Sequence, residues 1–252
     1  MKGALITGAG LRIGRAIALA LAADGYFVFV HYNRSAAGAH ATVASIAAAG
    51  GRAKAVRADL ASARQAAALV GKCKARGVRL TCLVNNASLF KLDRAPTATA
   101  ADFDRHMAIN LRAPMLLSQA LARQLPPEET GVIVNVLDQK LFNLNPDFLT
   151  YTLSKVGLGG LTTLLAQSFA PRLRVAGIAP GLTLRSGSQT DARFAAQHAA
   201  NPLGVGVITD DLVRAVRFIL ATPSYTGDTI VVDGGEHLTG RPRDIAFDQK
   251  KK

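Results

Sequence analysis

The chain has 252 residues, 49% apolar and 19% charged, with 30 Lys and Arg against 17 Asp and Glu for a formal charge of +13. This composition supplies a sizeable core and excludes a disordered chain; no apolar run reaches the roughly 18 residues of a membrane span. The arginines are scattered singly rather than gathered in a stripe, which speaks against a nucleic-acid surface and for a basic protein that handles anionic small molecules.

In chain order, strand-like and helix-like segments alternate. "GALIT" and "YFVFVHY" read as strands, and between them Ile13, Ile17, Ala20 and Leu21 recur at helical spacing. An Ala-rich helix over Ala36–Ala49 ends at Gly50-Gly51, and a strand follows over Ala53–Ala58. A helix over Ser62–Ala75 leads to the strand "LTCLVNNA". A longer helix covers about Ala100–Gln124, bent at Pro114. Then come the strand "GVIVNVLD", a helix over Tyr151–Ala170, the strand "RLRVAGIAP", a loop-rich stretch to about Ile208, a helix over Asp210–Leu220 and the strand "TIVVDGG". Several strands are continuous apolar runs, as expected when both faces are covered. The pattern predicts a single α/β domain, 1–240, with a doubly wound seven-stranded parallel sheet, a substrate loop at about 182–208 and a basic tail over 241–252. Lys250–Lys252 reads as a solvated end. Cys73 and Cys82 have no CxxC or metal-ligand spacing, so reduced thiols in a cytoplasmic protein without a metal are expected.

Chemistry is concentrated in three places. "LITGAGLRIGRAI" sets Gly8, Gly10 and Gly14 between the first strand and first helix, where backbone N–H groups face an anion such as a pyrophosphate. The second strand ends in "HYNRS", with no acid for a ribose 2′-hydroxyl; Arg34 there suits a 2′-phosphate, which predicts NADP(H). Tyr151 and Lys155 share one helical face, so an ammonium can sit beside a phenol and make it a better acid near neutral pH. Asp138 stands thirteen residues before Tyr151. An ionised carboxylate accepts hydrogen bonds and donates only when protonated.

Taken as an ordered set, "TGAGLRIG", Asp59 in "RADL", Asn85–Ala87, Asn110, Tyr151/Lys155 and Pro180-Gly181 resemble the short-chain dehydrogenases/reductases over residues 1–240. The resemblance implies a Rossmann-type fold and, by family analogy, a homotetramer. It makes Tyr151 the proton donor, Lys155 the ligand of the nicotinamide ribose, and Asn110 the holder of a relay water. Asp59 and Asn85 then line the adenosine side, and Pro180-Gly181 borders the nicotinamide. Most members carry glycine where Arg12 stands and serine where Asp138 stands. These two departures, with "HYxRS" at His31–Ser35 and Ser88 and Phe90 after "NNA", resemble the pteridine reductase branch, which includes dihydromonapterin and dihydrofolate reductases. The implied cofactor set is Thr7, Gly8, Gly10, Arg12, Ile13, Gly14, His31, Asn33, Arg34, Ser35, Asp59, Leu60, Asn85, Asn86, Ala87, Tyr151, Lys155, Pro180 and Gly181. The implied substrate set is Arg12, Ser88, Phe90, Asp138, Tyr151 and Leu182, with Arg185 where an apolar residue is expected and His198 without a role.

The expected activity is NADPH-dependent reduction of a pterin or folate-type small molecule. A carbonyl reductase acting on 3-oxoacyl thioesters or sugars is the competing enzyme, and Asp138 argues against it. An idle NADP-binding protein is a competitor of another class, against which the complete Asn110/Tyr151/Lys155 set argues. There is no Gly-x-Ser-x-Gly elbow for a serine hydrolase. A charged hydrogen bond to phosphate contributes about 1.5–3 kcal/mol. Arg34→Asp should therefore weaken NADPH binding by about ten- to a hundredfold while sparing NADH, as measured by titration of both cofactors.

Overall fold

The computed structural model describes residues 1–185 and 189–247. Among them seven strands form one parallel sheet: β1 (Lys2–Ile6), β2 (Phe27–Tyr32), β3 (Arg52–Arg57), β4 (Arg79–Asn85), β5 (Gly131–Val136), β6 (Leu173–Pro180) and β7 (Thr229–Val232). Their order is β3-β2-β1-β4-β5-β6-β7. The helices are α1 (Arg12–Ala23), α2 (Ala36–Ala48), α3 (Ala63–Lys72), α4 (Ala100–His106), α5 (Ala113–Gln124), α6 (Leu149–Phe169), α7 (Asp191–His198) and α8 (Thr209–Ala221).

Alternation along the strands divides the core into two layers. Ala4, Ile6, Val28, Val30 and Val84 pack with Ile17 and Leu21 of α1, Ile46 of α2 and Val216 and Ile219 of α8. Leu5, Phe29, Leu83 and Ile133 face the other way, onto Leu69 of α3, Leu117 and Leu121 of α5, and Leu165 of α6. Both faces are dry, which is why the strands read as unbroken apolar runs. The strand order reverses at β1/β4, and the crevice at such a reversal is where ligands of this architecture bind.

Three expectations need correction. The predicted bent helix over 100–124 is α4, a π-helical segment Met107–Arg112, and α5, with Pro114 in the first turn of α5. The helical run is unbroken from 100 to 124, and the π-helical turn lies directly ahead of Pro114, whose missing N–H leaves that turn one bond short. The loop-rich stretch contains α7, capped by Thr190, whose Oγ1 accepts from the Arg193 N–H. The predicted tail begins as ordered structure: Ile245 is buried, Arg243 pairs with Asp147, and Asp244 pairs with Lys140. Lys250–Lys252 lies outside the described residues. No helix among those described is long and apolar enough to cross a membrane.

A Cβ on Gly14 would lie 2.5 Å from both the Gly8 carbonyl oxygen and Asn86 Nδ2, whereas one on Gly71 of α3 meets nothing within 4 Å. Gly14→Ala should therefore cost about 1–3 kcal/mol through overpacking. Gly71→Ala should gain about 0.5–1 kcal/mol from helix propensity. Denaturant midpoints of the two variants check the contrast.

Candidate active site

The glycine turn between β1 and α1 builds one end of the site. Gly8 has φ +65°, a conformation that disfavours a side chain. Gly10 lies against α2, where a Cβ would be 2.9 Å from the Ala39 nitrogen. No acid stands in the first turn of α1, so its N–H groups and helix dipole are open to an anion. A groove of about 380 Å³ continues from this turn, lined by Gly8, Gly10, His31, Asn33, Arg34, Ser35, Asp59 and Leu60. Asp59 is fixed by Asn33 Nδ2 at 3.1 Å and the Ala61 N–H at 3.0 Å. The Arg34 guanidinium is exposed and, among the described residues, free of hydrogen bonds and ion pairs, while its carbonyl accepts from the Ala36 N–H. Glycine cradle, unneutralised helix end and free arginine together fit an adenosine phosphate with a further charged group at the ribose.

Some expected cofactor residues are buried and support the groove's wall. His31 Nδ1 accepts from the Gly8 N–H at 3.1 Å, while Nε2 faces the Ala58 carbonyl. Burial lowers its pKa to about 4, so it is a neutral staple between turn and sheet. Thr7 is buried, its Oγ1 accepting from the N–H groups of Asn86 and Ala87. Asn85, expected on the adenosine side, is instead buried in the sheet, donating to Asn135 Oδ1 at 2.8 Å. The last side chain of β4 points into the protein, and the groove is met by Asn86, Ala87 and Ser88 beyond it.

The larger cleft, about 860 Å³, adjoins the glycine turn and brings together Arg12, Ile13, Gly14, Asn86, Ser88, Phe90, Asp138, Tyr151, Lys155, Pro180, Gly181 and Leu182. Tyr151 donates its hydroxyl proton to Asp138 Oδ2 at 2.6 Å, and the Lys140 N–H holds Oδ1 at 2.9 Å. Lys155 Nζ donates to the Val136 carbonyl at 2.7 Å and lies 5.7 Å from the Tyr151 ring centre. Here the expected tuning of Tyr151 is reversed. Burial and then the Asp138 charge and hydrogen bond hold the phenol well above its ordinary value. Burial also raises the Asp138 carboxyl, against the pull of Tyr151, Lys140 and Lys155. Lys155 is lowered by burial to about 8.

Asn110 sits in the π-helical segment with its side chain wholly engaged. Oδ1 accepts from the Leu89 N–H and Ser88 Oγ; Nδ2 donates to the Leu89 carbonyl and Ser154 Oγ. A relay water there would have to use its main chain. Phe90 stacks on Phe148 at 4.3 Å and meets the Tyr151 ring edge-on at 4.7 Å, yet is 47% exposed to the cleft. Arg12 starts α1 in left-handed backbone, φ 55°, and donates to the Arg185 carbonyl at 2.7 Å. Glycine suits such a position sterically, and an arginine held there is a strained residue at a junction between subsites.

The family model "short chain dehydrogenase" matches residues 2–195. The chain belongs to the short-chain dehydrogenases. It is 40% identical to FolM alternative dihydrofolate reductase 1 from Brucella canis, a structure complexed with NADP, with a TM-score of 0.90 and 94% of each chain covered. It is also 35% identical over 242 residues to an uncharacterized oxidoreductase of Methylorubrum extorquens, covering 93% of this chain and 97% of that one. A 3-oxoacyl-[acyl-carrier-protein] reductase of Synechocystis is 32% identical, with 92% and 95% covered.

Within this short-chain dehydrogenase, sequence reasoning missed part of the cleft wall: Leu11, Gln139, Lys140, Phe148, Arg193, Glu236, Asp244 and Ile245. Lys140 is buried and donates to Asp244 and Asn145. Glu236 accepts from the Leu182 N–H at 3.5 Å, and burial raises its pKa to about 7. The other loop residues hold structure: Arg185 pairs with exposed Asp191, and His198 stacks on Phe194 and contacts the Val207 carbonyl. The Lys140–Asp244 and Leu182–Glu236 contacts had no local sequence signal, because they join segments 104 and 54 residues apart.

In the free enzyme Lys155 loses its charge as pH rises through about 8. Since kcat/KM reports the free enzyme, it should fall about tenfold per pH unit above that value. Initial rates across this range check the expectation; a flat profile would contradict it.

Proposed function

We propose that this chain is an NADPH-dependent pteridine reductase, which reduces a C=N bond in a dihydropterin or folate-type ring to the tetrahydro level. The observation that carries the reading is the 2.6 Å hydrogen bond from Tyr151 to Asp138. A carbonyl substrate profits from two neutral donors at its oxygen. Here the second position holds a carboxyl group, whose charge repels a developing oxyanion. A ring nitrogen that takes up a proton, beside ring N–H groups that a carboxylate can accept, matches this pair.

The cofactor is NADP(H), which the glycine turn and Arg34 would hold. Bound there, it supplies the hydride that ends on the substrate carbon. The chain's own residues do the rest. The exposed Phe90 face offers a stacking surface for a flat heterocycle. Asp138 orients the amino edge of the ring. As the C=N electron pair moves to nitrogen, the Tyr151–Asp138 pair releases one proton to it and is reprotonated from solvent. The Lys155 charge offsets the negative charge left on the pair. Similarity to the Brucella enzyme supports this reading. Similarity to the Synechocystis reductase supports a second one, reduction of 3-oxoacyl thioesters. Assembly with further copies belongs to the proposal too: Leu153, Val156 and Leu164 of α6 are exposed apolar residues.

NADPH oxidation is measured with dihydropterins, dihydrofolate, quinonoid pterins and oxoacyl thioesters. Dihydropterins should be reduced by the wild type. Asp138→Ser and Asp138→Asn should each lower that rate by about 10²–10⁴-fold, and Asp138→Ser should raise carbonyl reduction. Full pterin turnover by both variants, or a wild type active on oxoacyl thioesters alone, defeats the reading.

A further inference from the structure

The helix that carries Tyr151 and Lys155 starts without a cap of its own. Phe148 precedes α6 in left-handed backbone, φ 58° and ψ 49°, and offers no side-chain acceptor to the first turn. First-turn N–H groups need acceptors from elsewhere. They are met by Asp93, from the loop between β4 and α4. Its backbone carbonyl accepts from the Leu149 N–H at 3.3 Å, Oδ1 accepts from the Thr150 N–H at 3.1 Å, and Oδ2 accepts from the Thr150 hydroxyl.

Asp93 is 3% exposed and, among the described residues, has no cationic partner. A buried carboxylate is costly unless its hydrogen bonds are made. Here the first turn of α6 makes them. The network extends one step further. His106 Nδ1 lies 2.9 Å from the Asp102 carbonyl, which can only accept, so Nδ1 carries the hydrogen. The same atom is 2.8 Å from Thr150 Oγ1, so its one N–H is shared between the Asp102 carbonyl and Thr150, whose hydroxyl donates to Asp93. The His106 ring stands edge-on to Tyr151, centres 6.4 Å apart.

The loop that supplies Asp93 also supplies Phe90, which touches the Tyr151 ring. Arg94, next in the chain, donates to Asp147 Oδ1 at 2.7 Å, just ahead of α6. Two successive residues thus clamp the start of the helix to the loop that carries the aromatic wall. We infer that Asp93 is a positioning residue that sets Tyr151 against Phe90 and the substrate, through Thr150 and the first turn of α6. The inference rests on Tyr151 being the proton donor.

The test compares Asp93→Ala, Asp93→Asn and Thr150→Val with the wild type, on whichever substrate of the panel the wild type reduces. Misplacing a reacting group by about 1 Å can cost roughly a hundredfold in rate. Asp93→Ala should lower kcat by about ten- to a hundredfold, with the NADPH dissociation constant within about twofold of wild type. Asp93→Asn should recover much of the loss, because its oxygen still accepts from the Thr150 N–H. Thr150→Val should fall between them. Hydrogen exchange, which needs no substrate, should quicken at amides 149–155 in Asp93→Ala while the sheet keeps its protection. If Asp93→Ala does not fold, the other two variants decide by the same readouts. Wild-type kcat per folded molecule, with only the melting temperature lowered, overturns the inference, as does unchanged exchange at the helix start. A wild type that reduces only carbonyls sinks the pterin reading and leaves this test intact.

Discussion

Because all seven strands run parallel, their C-terminal ends share one edge of the sheet, and the site is built there, with α6 bringing Tyr151 and Lys155 to it. The glycine turn follows β1, Arg34 follows β2, Asp59 follows β3, Phe90 and Asp93 follow β4, Asp138 follows β5 and Gly181 follows β6. The rest of the sheet has one task, to be dry on both faces so that this edge is rigid. Two packed layers meet that requirement, and the reversal of strand order beside β1 opens the crevice that the loops then line.

Within the crevice, electrostatics and burial oppose each other. Tyr151, Asp138 and Lys155 are drawn out of water together, and each then resists its charged form. A lysine alone beside the phenol would ease its ionisation. With the carboxylate in closer contact, the proton is retained instead, shared along a short hydrogen bond. In the proposed reaction that is a useful resting state: the proton is present, held in place, and released when the electron pair arrives on nitrogen.

What could be read from the sequence follows from the range over which each signal acts. The Tyr151/Lys155 pair obeys helical spacing. The glycine turn announces itself by the need for backbone where a Cβ would collide, and the Asp138 spacing proved to end in direct contact with Tyr151. Signals that depend on distant segments were invisible. Lys140 and Asp244 are 104 residues apart, and nothing local marks them as partners. Asn85 at the end of β4 and Thr7 just past β1 carry the right residue types, but only the folded sheet shows that they face inward. The Thr190 cap of α7 is a local signal, but α7 buries only Gln197 and so has no apolar face to announce it.

The ordered segment over 243–247 and Met1, which flanks β1, lie on opposite sides of the sheet. The amino group of Met1 donates to the Gly77 carbonyl at the N-terminal edge of the sheet, opposite the cleft. Phe247, by contrast, packs near Phe148 with the Arg94 and Arg243 guanidinium groups over its ring, beside the substrate side. A change of side chain at Phe247 would therefore act on the aromatic wall of the cleft, whereas one at Met1 would fall far from it.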